Sequence, residues 1–150
     1  MKRPLGRLLR LREILEDLSR LSFEEKNAAM RDLEGASRRQ RQTALSMRAD
    51  ALRTLTMPEP TAPEAWSMRR ADAGIAAWKE AKLDALVEAG KPAIDRARDV
   101  LLARRMERLQ VEMLQAAAER AEKKAQARRE QNRTDDWFGS LPARGTRTRG

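Results

Sequence analysis

The sequence predicts an all-α protein, a long antiparallel two-helix coiled coil (an α-helical hairpin) whose second helix is the longer. Three observations predict it. Ala occurs 25 times and Leu 18 times, with Arg, Glu and Gln making up much of the rest. These residues lose little freedom in a helix. Ile and Val total six, too few for a sheet built on β-branched runs. Apolar residues recur at alternating spacings of three and four, the narrow stripe of a coiled-coil seam.

The first helix is expected over about residues 6–57, with Pro4 before it. Its seam is read as Leu8, Leu11, Leu15 and Leu18, then Ala29, Leu33, Ala36, Gln40 and Ala44, then Met47, Ala51 and Leu55. At about 1.5 Å per residue such a helix is about 75–80 Å long, more than a compact domain of this size can hold. The segment 58–63, Pro-Glu-Pro-Thr-Ala-Pro, cannot continue it, because each proline lacks the N–H that a helix needs. Thr61 and Glu64 fit a capping box that opens the second helix, over about 64–138. A kink or short break is expected at Gly90-Lys91-Pro92. The seam of this helix is read as Leu102, Met106, Leu109, Met113 and Ala116. Being longer, it overshoots its partner: Glu119 to Phe138 either extends past the paired region or folds over at Pro92. Residues 1–138 thus form a single hairpin, and 139–150 a disordered basic tail.

The net charge of +9 is unevenly placed. Residues 1–12 carry five bases and no acid, and residues 139–150 three bases and no acid, leaving the body nearly neutral. Mixed charges at helical spacing mark a solvated helix face. In a hairpin the two basic ends gather at the pole opposite the turn. No apolar run approaches the roughly 18–20 residues of a membrane-spanning helix. The basic start lacks a continuous apolar stretch and soon meets Glu13, Glu16 and Asp17, so the chain reads as cytoplasmic.

Several functions are disfavoured by residue type. The chain has no Cys and no His, hence no thiolate or imidazole for metal binding or nucleophilic chemistry, and no disulfide framework. Gly90-Lys91 lacks the flanking residues of a phosphate loop. The acid pairs Glu24-Glu25 and Asp135-Asp136 lie on helices with mixed charge. No catalytic constellation follows, and no cofactor, metal or enzymatic activity is expected. Arginine-rich ends could neutralise phosphate, yet acids alternate with bases through the body; the densest internal cluster, Arg38-Arg39-Gln40-Arg41, is short. Leu5, Leu8, Leu9, Leu11 and Leu15 could instead rest on anionic lipid, although a seam accounts for them as well. The aromatics Trp66 and Trp78, with Ile75 between them, and Trp137-Phe138 exceed what a thin coil can bury, which suggests contacts with a partner.

This layout resembles the family of the flagellar export protein FliJ and its virulence-system counterpart YscO. The resemblance rests on the basic start Arg7–Leu15, Arg-Leu-Leu-Arg-Leu-Arg-Glu-Ile-Leu, and on the ending 129–138, Arg-Glu-Gln-Asn-Arg-Thr-Asp-Asp-Trp-Phe. Pro92, the proline-rich turn and the Gly/Arg tail depart from the family pattern. The resemblance implies an antiparallel coiled coil, similar to the γ stalk of rotary ATPases, seated in the hexameric type III export ATPase. It would promote hexamer assembly, contact the cytoplasmic domain of the export gate membrane protein and escort export chaperones, at the inner face of the cell membrane. ATPase contacts carry over to Arg7, Leu8, Leu11, Arg12 and Leu15 in the start, and to Gln131, Asp135, Asp136 and Trp137 in the ending. Gate contacts would fall on Trp66, Ile75 and Trp78. The alternatives are a basic helical nucleic-acid-associated protein and a generic coiled-coil scaffold.

Overall fold

The structure, a computed structural model, describes residues 2–56 and 63–142. Two helices, α1 (Lys2–Thr56) and α2 (Pro63–Ser140), pack against one another antiparallel, and no strand occurs among the described residues. The chain is an all-α helical hairpin. The expected turn, with its Thr61 cap, lies outside the described residues except for Pro63, and so does the tail beyond Pro142. Contacts divide the chain into two compact units, one of Leu15–Arg104 and one of Met1–Ile14 with Arg105–Gly150.

The helices differ from expectation at three places. α1 already includes Pro4, which its first turn tolerates because an N–H there has no acceptor within the helix. α2 runs without a break through Gly90-Lys91-Pro92. It also takes in Gly139 and Ser140, and stops where Pro142 disfavours helical geometry at the residue before it. Leu141 N–H closes this end on the Phe138 carbonyl at 3.4 Å.

In the unit Leu15–Arg104 the buried apolar residues are Met30, Ala44, Ala51, Ala76, Ile94 and Ala97. Each methyl or methylene buried supplies only about 0.8 kcal/mol, so an alanine-rich seam contributes little from area. It does allow close approach. At Gly90 an added Cβ would stand 2.5 Å from the Met30 Cε, so the methionine tip occupies the space that glycine leaves. Polar clasps cross the same seam. Ser37 donates to Asp84, Arg69 to the Thr54 hydroxyl, and Gln40 Nε2 to the Ala76 carbonyl at 3.1 Å. Arg41 donates to Glu80 at 2.9 Å and approaches Asp84 at 3.5 Å. The hydrogen bond to Glu80, and then the charge of Asp84, raise the Arg41 pKa above its already high ordinary value. Glu16, 2% exposed, sits in the seam with Arg20 Nη2 at 3.3 Å from its carboxylate.

In the unit of Met1–Ile14 and Arg105–Gly150, Val111 is the buried apolar residue. Arg12 Nη1 donates across the helices to Glu107 at 2.6 Å, while Arg108 pairs with Glu112 one turn along α2 at the same distance. From Ala116 to Ser140 every residue of α2 is exposed. Within this unit the overshoot extends past the residues of α2 that pair with α1.

The seam differs from the expected one. On α1, Leu8, Leu15, Leu33, Ala36 and Gln40 are half-buried and Ala44 and Ala51 buried, but Leu11, Leu18, Ala29, Met47 and Leu55 are exposed. On α2 the expected stripe Leu102, Met106, Leu109, Met113 and Ala116 is wholly exposed, Met113 reaching 71%. The residues that pack are Ala97, Leu101, Arg104, Arg108, Val111 and Gln115. At 3.6 residues per turn the two stripes lie roughly 140° apart on the helix. α2 thus carries two stripes of coiled-coil spacing, one apolar and exposed, the other of mixed polarity and packed. The packed one has small residues for close approach and lies alongside charged residues that find acids, as Arg12–Glu107 and Arg108–Glu112 do.

Candidate partner-contact sites at the helix end and the aromatic stretch

The end of α2 is a lone helix whose surface is made by its own neighbours at three and four residues' distance. Gln131 donates weakly to Asp135 at 3.5 Å, and the Thr134 hydroxyl to the Glu130 carbonyl at 2.9 Å. Asp135 and Asp136 are exposed. Trp137 and Phe138 meet edge to face, ring centroids 4.9 Å apart, and both keep about 60% of their surface in water. With Leu141 they form an apolar tip behind a pair of carboxylates. An exposed aromatic pair of this kind is the usual nucleus of a binding hot spot.

The residues expected to act at the start of α1 are spread over different environments. Arg7 and Leu11 are exposed, while Leu8 and Leu15 are half-buried against α2. Arg12 is committed to Glu107, and its Nε is buried with no hydrogen-bond partner among the described residues. Pro4 and Leu5 line a groove with Gln115, Ala118, Glu119, Ala121 and Glu122. Gln131 lies nine residues further along α2, about 13 Å at the helical rise. The structure therefore places start and ending in one unit without bringing them to one point.

After the turn, Trp66 is half-buried and Arg70 lies over its ring at 5.3 Å; Lys82 lies over Trp78 at 5.4 Å. Both are the next-turn cation stacking on the indole, worth about 0.5–1 kcal/mol when exposed. Ile75 and Trp78 are more than half exposed. Sequence reasoning missed that Met68 and Leu86 are exposed on the same helix. Their spacing from Ile75, seven and eleven residues, was the available signal.

Among the described residues no group of three His, Cys, Asp or Glu could hold a metal ion, and no helix is long and apolar enough to cross a membrane. In comparisons with known proteins the chain matches no family model, no curated protein and no solved structure.

Proposed function

We propose that this protein is a non-catalytic stalk of a flagellar or type III secretion export ATPase, promoting assembly of the ATPase hexamer and coupling it to the export gate and its substrate chaperones. One observation carries the reading: α2 outruns α1 and ends in Asp135, Asp136 and the exposed Trp137–Phe138 pair, the ending on which the family resemblance rests. A bare helix tip of this kind can enter a ring from one side. The exposed Arg7 and Arg10 on the same unit would speed encounter with an acidic pore, an electrostatic effect mainly on the association rate. The protein would act in the cytoplasm, peripherally at the inner face of the membrane. Pairing of Arg12, Arg20, Arg41 and Arg108 with acids favours a protein partner over nucleic acid, since those cations are already engaged.

The test is titration of an export ATPase with the purified chain. ATP turnover and the hexamer population rise together, saturating near one chain per hexamer. Trp137→Ala with Asp136→Ala weakens the half-maximal effect about tenfold while circular dichroism stays unchanged, because both side chains are exposed and hot-spot aromatics dominate interfaces. Turnover and hexamer population that ignore the chain would sink the proposal. Retention of DNA at physiological salt with a steep salt slope would favour the nucleic-acid alternative.

A further inference from the structure

A second surface is built from residues of which the export reading uses only Leu15. In the unit Leu15–Arg104, α1 and α2 leave a groove of about 290 Å³ along one flank of their seam. Its floor is Ala97, buried, and Leu15, half-buried. Its walls are Leu18, 58% exposed, and Val100, 49% exposed. The Ser19 hydroxyl on this surface is turned inward onto the Leu15 carbonyl at 2.9 Å, so it does not spoil the apolar lining. The charged residues lining the groove are Lys26, Arg96 and Arg104, all basic. Lys26 and Arg96 are exposed and form no ion pair among the described residues. In a body whose charges are otherwise balanced, this is a local imbalance beside exposed aliphatic side chains.

We infer that this groove is a docking site for an acidic amphipathic helix of a partner protein, which lays leucine-type side chains over Leu18, Val100 and Ala97 and sets carboxylates against Lys26 and Arg96. Shape and charge both select that occupant. The open cleft of about 290 Å³, walled by aliphatic side chains, suits side chains from one helix turn. A groove between two helices accepts a third by the same ridge-and-groove packing that joins the first two, read by the partner as anchors three, four and seven residues apart. A second copy meeting this one groove to groove about a two-fold axis would bring like-charged rims together. A lipid surface would need a protruding apolar face, whereas Ala97 lies at the bottom of the cleft.

The test uses the full chain and a fluorescein-labelled synthetic peptide with leucines at i, i+3 and i+7 and glutamates on the flanking positions; lysines replace the glutamates in its counterpart. Measured by anisotropy, the glutamate peptide binds about tenfold more tightly than the lysine peptide, and less tightly as salt is raised. Lys26→Gln with Arg96→Gln abolishes the preference, and Lys26→Glu with Arg96→Glu reverses it. Leu18→Gln with Val100→Gln weakens both peptides about tenfold, with helicity and melting retained because both positions are exposed. Absent binding, equal binding of the two peptides, or a preference that survives charge reversal would overturn the inference. So would binding to phosphatidylserine vesicles, or a dimer in sedimentation equilibrium, that Leu18→Gln with Val100→Gln removes, since the groove would then belong to a membrane or to a second copy.

Discussion

Pro92→Ala raises the stability of the hairpin by about 2–3 kcal/mol, because proline inside a helix costs about that much relative to alanine. The cost has two sources. Pro92 has no N–H for the Glu88 carbonyl, and its ring crowds that same oxygen. α2 nevertheless continues through the site, and Pro92 is exposed, so neither source is offset by packing of the ring itself. Helical geometry there is imposed by neighbours that do pack. Ile94 and Ala97, two and five residues on, are buried, and Gly90, two residues back, receives the Met30 tip. In a chain of this length the gain appears as a rise of about 6–10 °C in the melting midpoint, read by circular dichroism at 222 nm. Gly90→Ala is the informative contrast. It gains helix propensity of about 1 kcal/mol but drives its methyl toward Met30, so its benefit is the smaller. A midpoint unchanged or lowered by Pro92→Ala would mean that the helix is interrupted there in solution.

The same turn carries an exposed ion pair, Lys91 Nζ to Glu88 at 2.6 Å. The hydrogen bond that Lys91 donates to Glu88, and then the Glu88 charge, raise the Lys91 pKa above the ordinary 10.5. A raised lysine pKa stabilises the fold fully below the ordinary value, and the contribution is lost as pH climbs through the raised one. At neutral pH the pair is complete. A side-chain nitrogen titration by NMR should place the Lys91 midpoint above 10.5, and a midpoint at or below that value would show the pair is not populated.

Helix content and the two-helix plan are legible because they depend on local properties: alanine and leucine propensity, and a proline cluster at 58–63 that no helix can cross. Partner choice is not local, and there the sequence is ambiguous. α2 offers Leu102, Met106, Leu109 and Met113 on one side and Ala97, Leu101, Arg104, Arg108 and Val111 on another, both at alternating spacings of three and four. The larger side chains make the first stripe look like the core. Yet the second is the one that packs, against residues far away in sequence, and Arg12 reaches Glu107 beside it. Arginines and alanines in the seam are easily taken for surface. For the same reason Arg12 looked available to a partner, although its guanidinium closes the hairpin. Trp137 and Phe138 were legible as exposed because nothing in α1 is long enough to cover them.

Ala76→Asp shows how little margin an alanine seam has. Ala76 is 3% exposed, and its carbonyl accepts from Gln40 across the helices. A carboxylate at this point would lie against α1 near Gln40, while Arg41, the nearby cation, already holds Glu80 and Asp84. Burying a polar group without a partner costs roughly 2–7 kcal/mol, and alanine-to-aspartate adds some lost helix propensity. The expected loss is about 3 kcal/mol or more, enough to part the helices locally because no large buried side chain holds them nearby. Ala77→Asp, one residue along on the exposed face, carries the propensity cost without the burial. The difference between the two in urea unfolding therefore isolates the seam. If the two variants unfold at the same urea concentration, Ala76 does not lie at a packed interface and the register that joins Arg41 to Glu80 is not the one populated in solution.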